Sequence, residues 1–426
     1  MRGGIKKSRS INLKSIVLMI YAILLVVLFF STQTYFGTEN YNRIYIIETV
    51  FITTFMILLV AANHGKIHLK KSEMQIYGVF LFPYIGLFAI SAIEYFLLKK
   101  ITFITMDRYS LQPLLICMMA IMTYSMFRKK TIHTIIAASI VNYSVYIVTC
   151  MVKYGVLSIF GAGSDNEASQ LLEVHEITFI FGLLAVYLWI TKSGTFKLQE
   201  KHQKVLLIVT ILMSLLGFKR ILIAVMIAVL LLNVILKKVR TSRLLMILTV
   251  LTIVFCFLWC YFCSSAILFE ELSVKFGIDF KGRNWIYANF YPYYDFAVDY
   301  IGGGIGYVQH LIGSMKNMYL NGHFIGLHNE VLRLYIDLGF VPYLAYLLII
   351  FPLSTKYIIN NKGYRSGACY FIFWIMTFFC STTDNLLTYP NYMLVFITVT
   401  IHCVFEEQQK NEIGRRKNEN RNSNSL

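Results

Sequence analysis

His328 stands in Gly326-Leu327-His328-Asn329-Glu330-Val331-Leu332-Arg333-Leu334-Tyr335-Ile336-Asp337-Leu338-Gly339, where a polar connection re-enters an apolar run. A histidine beside water yet partly desolvated can exchange a proton near neutral pH, so His328 is a candidate general base with Asn329 and Glu330 as polar neighbours. Two cations, Lys219 and Arg220, sit together in Leu216-Gly217-Phe218-Lys219-Arg220-Ile221, a hairpin between apolar runs. A third, Arg283, opens Gly282-Arg283-Asn284-Trp285-Ile286-Tyr287 and leads into an aromatic stretch that ends Tyr294-Asp295-Phe296. A guanidinium can hold two phosphate oxygens in its planar fork, which a lysine cannot match. The chemistry on offer is proton removal beside a site that favours an anion.

Each feature also has a plainer reading. Cations near helix ends snorkel to lipid phosphates, and aromatics such as Trp285 gather at membrane interfaces without binding sugar. Ile301-Gly302-Gly303-Gly304-Ile305-Gly306-Tyr307 lacks the ending of a Walker loop and the flanks of a dinucleotide fingerprint, so it reads as a tight bend. His310, His323 and His328 do not have metal-ligand spacing. The eight cysteines all fall in apolar spans, which argues against a disulfide framework, and Cys260-x-x-Cys263 reads as packing. No nucleotide, metal or cofactor is expected.

The elements that must position these residues follow from composition. Over 426 residues, 57% are apolar and 14% charged, with a mean hydropathy of +0.63, which excludes a soluble domain with an ordinary surface. The expected fold is all-α, a polytopic transmembrane bundle of about twelve spans, each taking roughly 20 residues. Apolar runs place them near 14–31, 44–63, 74–96, 109–127, 131–152, 174–191, 204–218, 220–236, 243–268, 329–352, 367–383 and 388–405. A short tail, 1–13, precedes them, and the first span reads as a retained anchor. One large external loop, 269–328, separates the ninth and tenth. The segment 406–426 lacks apolar periodicity and is expected to be a disordered basic tail.

Most of the 39 Lys and Arg fall on one side if both termini are cytoplasmic, with the acidic residues favouring the other. The formal charge of +17 is then a mark of topology and implies no nucleic-acid partner. Lys219, Arg220 and Arg283 stand against that pattern, on the outer side.

Taken in order, the outer basic pair, Gly282-Arg283 with Trp285, Gly304-Ile305-Gly306, and His328-Asn329-Glu330-Val331-Leu332 before Asp337-Leu338-Gly339-Phe340 resemble a known family. They are similar to the O-antigen ligase and polymerase superfamily, in particular its Wzy-type repeat-unit polymerases, over roughly 205–400. The chain departs from the family pattern in lacking a proline before its Gly-x-Gly and in the residues flanking Arg220.

The resemblance implies a glycosyltransferase of the plasma membrane that joins undecaprenyl-diphosphate-linked oligosaccharides into O-antigen or capsular polysaccharide without a nucleotide sugar or metal. It gives His328 the role of base and Arg283 and Arg220 the departing diphosphate, with Lys219 in support. Trp285, Asp295 and Glu330 become candidate sugar contacts, and a flippase and a chain-length regulator of the same pathway become candidate partners. A ligase of the same family shares every one of these residues. A lipid-linked oligosaccharide transporter is the alternative of a different class, weakened by the lack of a repeat between the halves.

Overall fold

A computed structural model describes residues 13–31, 44–62, 71–155, 175–191, 200–217, 219–277, 283–315, 319–320, 323–324 and 327–423. Gly282, Phe218, the amino-terminal tail up to residue 12 and the basic connections 63–70 and 192–199 lie outside the described residues. Among the described residues the architecture is helical, apart from a small hairpin pairing Tyr319–Leu320 with His323–Phe324.

In chain order the helices are α1 (Leu13–Ser31), α2 (Ile44–Ala62), α3 (Lys71–Phe96), α4 (Gln112–Phe127), α5 (Thr131–Tyr154), α6 (His175–Thr191), α7 (Glu200–Leu216), α8 (Arg220–Val239) and α9 (Ser242–Cys263). A short helical turn and a π-turn, Asp107–Leu111, lead into α4. Then come α10 (Ala266–Phe276), α11 (Arg283–Phe290), α12 (Tyr307–Ser314), α13 (Glu330–Leu338), α14 (Phe340–Leu348), α15 (Ser354–Lys362), α16 (Tyr364–Ser381) and α17 (Pro390–Ser423). Among the described residues, five stretches are long and apolar enough to cross a membrane: Lys71–Phe96, Asp107–Thr149, Arg220–Val239, Ser242–Cys263 and Phe340–Lys362. The second of these turns at Arg128, which takes a left-handed φ of 48°.

Burial sorts the helices by environment. α16 is enclosed on nearly every face, and the first part of α17, through Glu407, is buried beside it. α4, α6, α8 and α15 pack around this pair. α8 buries one stripe, Leu222, Val225, Val229, Asn233 and Leu236, at helical spacing. Its other face leaves Ile227, Leu231, Val234 and Ile235 exposed, and α9 does the same with Ile247, Leu251 and Leu258. An apolar face of that extent has hydrocarbon as its natural solvent.

Three expectations change. The run 329–352 is two helices: α13 is nine residues long, and the membrane-length stretch begins after it at Phe340. The break is at Gly339, whose φ of 78° lies in a region closed to most side chains. The connection 269–328, expected as one large loop, carries α11, α12 and the small hairpin. Finally, the backbone of 406–423 continues α17 as helix where an irregular tail was expected.

Candidate functional site

Asn329 starts α13. Its side-chain oxygen accepts the Leu332 amide at 3.0 Å, the N-cap contact that satisfies one of the free amides of a first turn. The same oxygen accepts the Trp259 indole N–H at 3.4 Å, and its amide nitrogen donates to Cys263 Sγ at 3.4 Å, so α9 grips the cap from behind. His328, one residue earlier, is half-buried and held at φ 48°. That left-handed backbone costs a non-glycine residue about 1–2 kcal/mol, and such strain persists where surrounding contacts impose it.

Charge fills one face of α13. Glu330, Arg333 and Asp337 are all buried and share a side of the helix at spacings of three and four. Arg333 donates to Glu330 Oε2 and, at 3.0 Å, to Asp337 Oδ2, while its guanidinium lies 4.9 Å from the centre of the Tyr109 ring. Asp337 also accepts the amides of Gly306 at 3.0 Å and Val308 at 2.9 Å. Burial pushes the Asp337 carboxyl up to about 6, against the opposing pull of Arg333 and these two amides.

The glycine run is explained by the same helix. Gly303 and Gly304 donate their amides to the carbonyls of Ile336 and Asp337, and Phe340 donates to the Tyr300 carbonyl at 2.8 Å. At the crossing, Gly302 and Gly339 meet backbone to backbone: a Cβ on Gly339 would fall 2.4 Å from the Gly302 nitrogen. From the far side, Glu94 accepts the Ile305 amide at 2.9 Å and Lys100 donates to the Gly302 carbonyl at 3.2 Å. The cavity left beside Arg333 and Asp337, walled by Tyr84, Tyr109, Tyr346 and Thr388, has room for about one water molecule and none for a sugar.

Two of the cations singled out in the sequence, Lys219 and Arg283, converge on the connection between α16 and α17. Lys219 Nζ lies 3.6 Å from Asp384 Oδ2, and Arg283 Nη2 donates to the Thr383 carbonyl at 3.1 Å. Asp384 Oδ1 accepts the Tyr389 hydroxyl at 2.8 Å. The Arg283 Nε is shielded from solvent without a hydrogen-bond partner among the described residues. Further along the connection, Thr388 donates its hydroxyl to Glu330 Oε1 at 3.1 Å. Tyr287, on the same helix as Arg283, is buried against Asn329, and that burial pushes its phenol well above the usual range.

The structure therefore brings Lys219, Arg283 and Glu330 to one short segment, 383–388, with His328 two residues from Glu330. It does not bury the rest. Arg220, the first residue of α8, is exposed, as are Trp285 and Asp295, although the Asp295 carbonyl accepts the Tyr335 hydroxyl at 3.0 Å. Glu330 has both carboxylate oxygens occupied inside the protein, by Arg333 and Thr388, so in this arrangement it faces no sugar. Cys260 and Cys263 are buried against α13, in keeping with packing.

No protein-family profile, curated protein or solved structure matches this chain. Residue chemistry and geometry carry the functional reading. Sequence reasoning gave no role to Arg333, Asp337 or Thr388, although Asp337 stood in the motif that carries the resemblance. The first two had a visible signal, opposite charges at i, i+3 and i+7 on one helix that is otherwise apolar; Thr388 had none.

Proposed function

We propose that this chain is a multi-pass glycosyltransferase of the plasma membrane, a polymerase that joins undecaprenyl-diphosphate-linked repeat units at the outer face. The observation that carries the reading is the meeting of Lys219 and Arg283, far apart in sequence, on Thr383-Asp384, in a connection that also reaches through Thr388 to Glu330, two residues from His328. About twelve spans with both termini cytoplasmic would put these groups on the outer side.

The transfer is a single displacement at the anomeric carbon of the donor. The acceptor hydroxyl forms the new C–O bond as its proton passes to His328, and the bond from carbon to the diphosphate oxygen breaks. Undecaprenyl diphosphate leaves with that bonding pair. Arg283, whose Nε has no acceptor among the described residues, takes the departing oxygens, with Lys219 and the exposed Arg220 in support. Fixed cations at the point where charge develops do the work of a counter-ion that water would otherwise supply. Asp384 moderates the site, holding Lys219 until a stronger anion arrives.

The test is polymer laddering in a host that makes the matching lipid-linked repeat unit, comparing wild type with His328→Ala and Arg283→Ala at equal membrane abundance. Long chains from wild type and single units from both variants support the reading. Normal ladders from His328→Ala remove its role as base, and single units trapped at the inner face would point to transport instead.

A further inference from the structure

We infer that Arg333 is a positioning residue: with Glu330 and Asp337 it locks the helix that presents His328 to the glycine loop on one side and to the α16–α17 connection on the other. The inference rests on the polymerase reading for its effect on turnover, but the lock itself stands on geometry alone.

Three segments distant in sequence are joined through this one guanidinium. Asp337 holds the amides of Gly306 and Val308, Glu330 holds the Thr388 hydroxyl, and Arg333 ties the two carboxylates together while stacking on Tyr109. The connection reached through Thr388 is the one that receives Lys219 and Arg283. Arg333 touches no open cleft, since the space beside it is water-sized, so it acts on the chemistry through its neighbours. A buried ion cluster contributes little to net stability compared with apolar groups of the same shape, and here Arg333 is committed to both carboxylates at once. A neutral pair in place of Arg333 and Glu330 should preserve the fold and release the arrangement.

Native thiols report on that release. Cys263 and Cys260 are almost fully buried, and both face the first turn of α13, Cys263 against Asn329 and Cys260 against the Val331 carbonyl. The experiment compares wild type, Arg333→Met, Arg333→Lys and the double variant Arg333→Met with Glu330→Gln in intact membranes. It reads membrane abundance, N-ethylmaleimide alkylation of each cysteine by mass spectrometry, and polymerisation at varied lipid-linked donor.

Arg333→Met alone, with two carboxylates left unbalanced, loses abundance, and the double variant recovers it. In the double variant Cys263 is alkylated roughly tenfold faster or more, because local opening governs access to a buried group. Turnover falls while donor half-saturation holds, and Arg333→Lys, which keeps charge without the fork, lies between. Should the double variant fail to accumulate, the same alkylation measured in Arg333→Lys decides. A Cys263 as protected as in wild type overturns the lock, whatever the ladders show. A rise in half-saturation at unchanged turnover overturns it too, in favour of direct substrate contact by Glu330. If wild type makes no polymer and Cys263 nevertheless opens in the variants, the lock stands and the polymerase reading falls.

Discussion

Two of the buried polar clusters among the described residues differ in what they join. In one, Tyr187 donates to Glu406 at 3.0 Å and meets His402 Nδ1 at 2.9 Å, with all three residues buried between α6 and α17. In the other, Glu330, Arg333 and Asp337 bind backbone amides of the glycine loop, a hydroxyl of the α16–α17 connection and an aromatic ring beside α4. Both are well satisfied. The first fastens one helix to another, as a packing contact would, whereas the second fixes three connections around His328. Burial and hydrogen bonding alone do not mark a site; the segments that a cluster brings together do.

That contrast is broken first where the effect is largest. Arg333→Met leaves two carboxylates buried without their counter-ion and is expected to cost about 3–5 kcal/mol, measured as lost membrane abundance and a lower temperature of thermal aggregation. Gly339→Ala places a Cβ 2.4 Å from the Gly302 nitrogen at a φ of 78°, and Gly78→Ala in α3 meets nothing within 4 Å. The first should destabilise by well over ~1 kcal/mol, while the second should be neutral or slightly stabilising; paired melts of the two variants check this.

Tyr187→Phe removes the hydroxyl that links Glu406 and His402. It should cost on the order of 1 kcal/mol without changing ladder length at matched abundance, and a shortened ladder would erase the distinction between the clusters. Trp285→Ala should be smallest. The ring is 41% exposed, so stability should shift by no more than about 0.5 kcal/mol, and any loss appears only in acceptor half-saturation.

Much of this was legible in the residues, unevenly. Helices form at the apolar runs read from the sequence, because strong hydrophobicity at membrane length leaves few alternatives. The division of 329–352 was hidden, since apolar residues recur on both sides of Gly339 and only the contact with Gly302 turns that glycine into a break. His328 and its neighbours stood out as a polar motif at the edge of an apolar run. The glycine run read correctly as a bend, yet nothing local says that α13 is what it bends around. The meeting of Lys219 with Asp384 and of Arg283 with Thr383 is a product of tertiary packing, and spacing along the chain carries no trace of it.

The central claim, that the outer cations receive a departing diphosphate while His328 takes a proton, is met most directly with purified protein and a lipid-linked repeat unit. The measurement is release of undecaprenyl diphosphate by wild type, His328→Ala and Arg283→Ala. Release in step with polymer growth, reduced roughly 10²- to 10⁴-fold in His328→Ala and strongly in Arg283→Ala at unchanged fold stability, is the predicted result. Release at the wild-type rate from both variants would contradict the account.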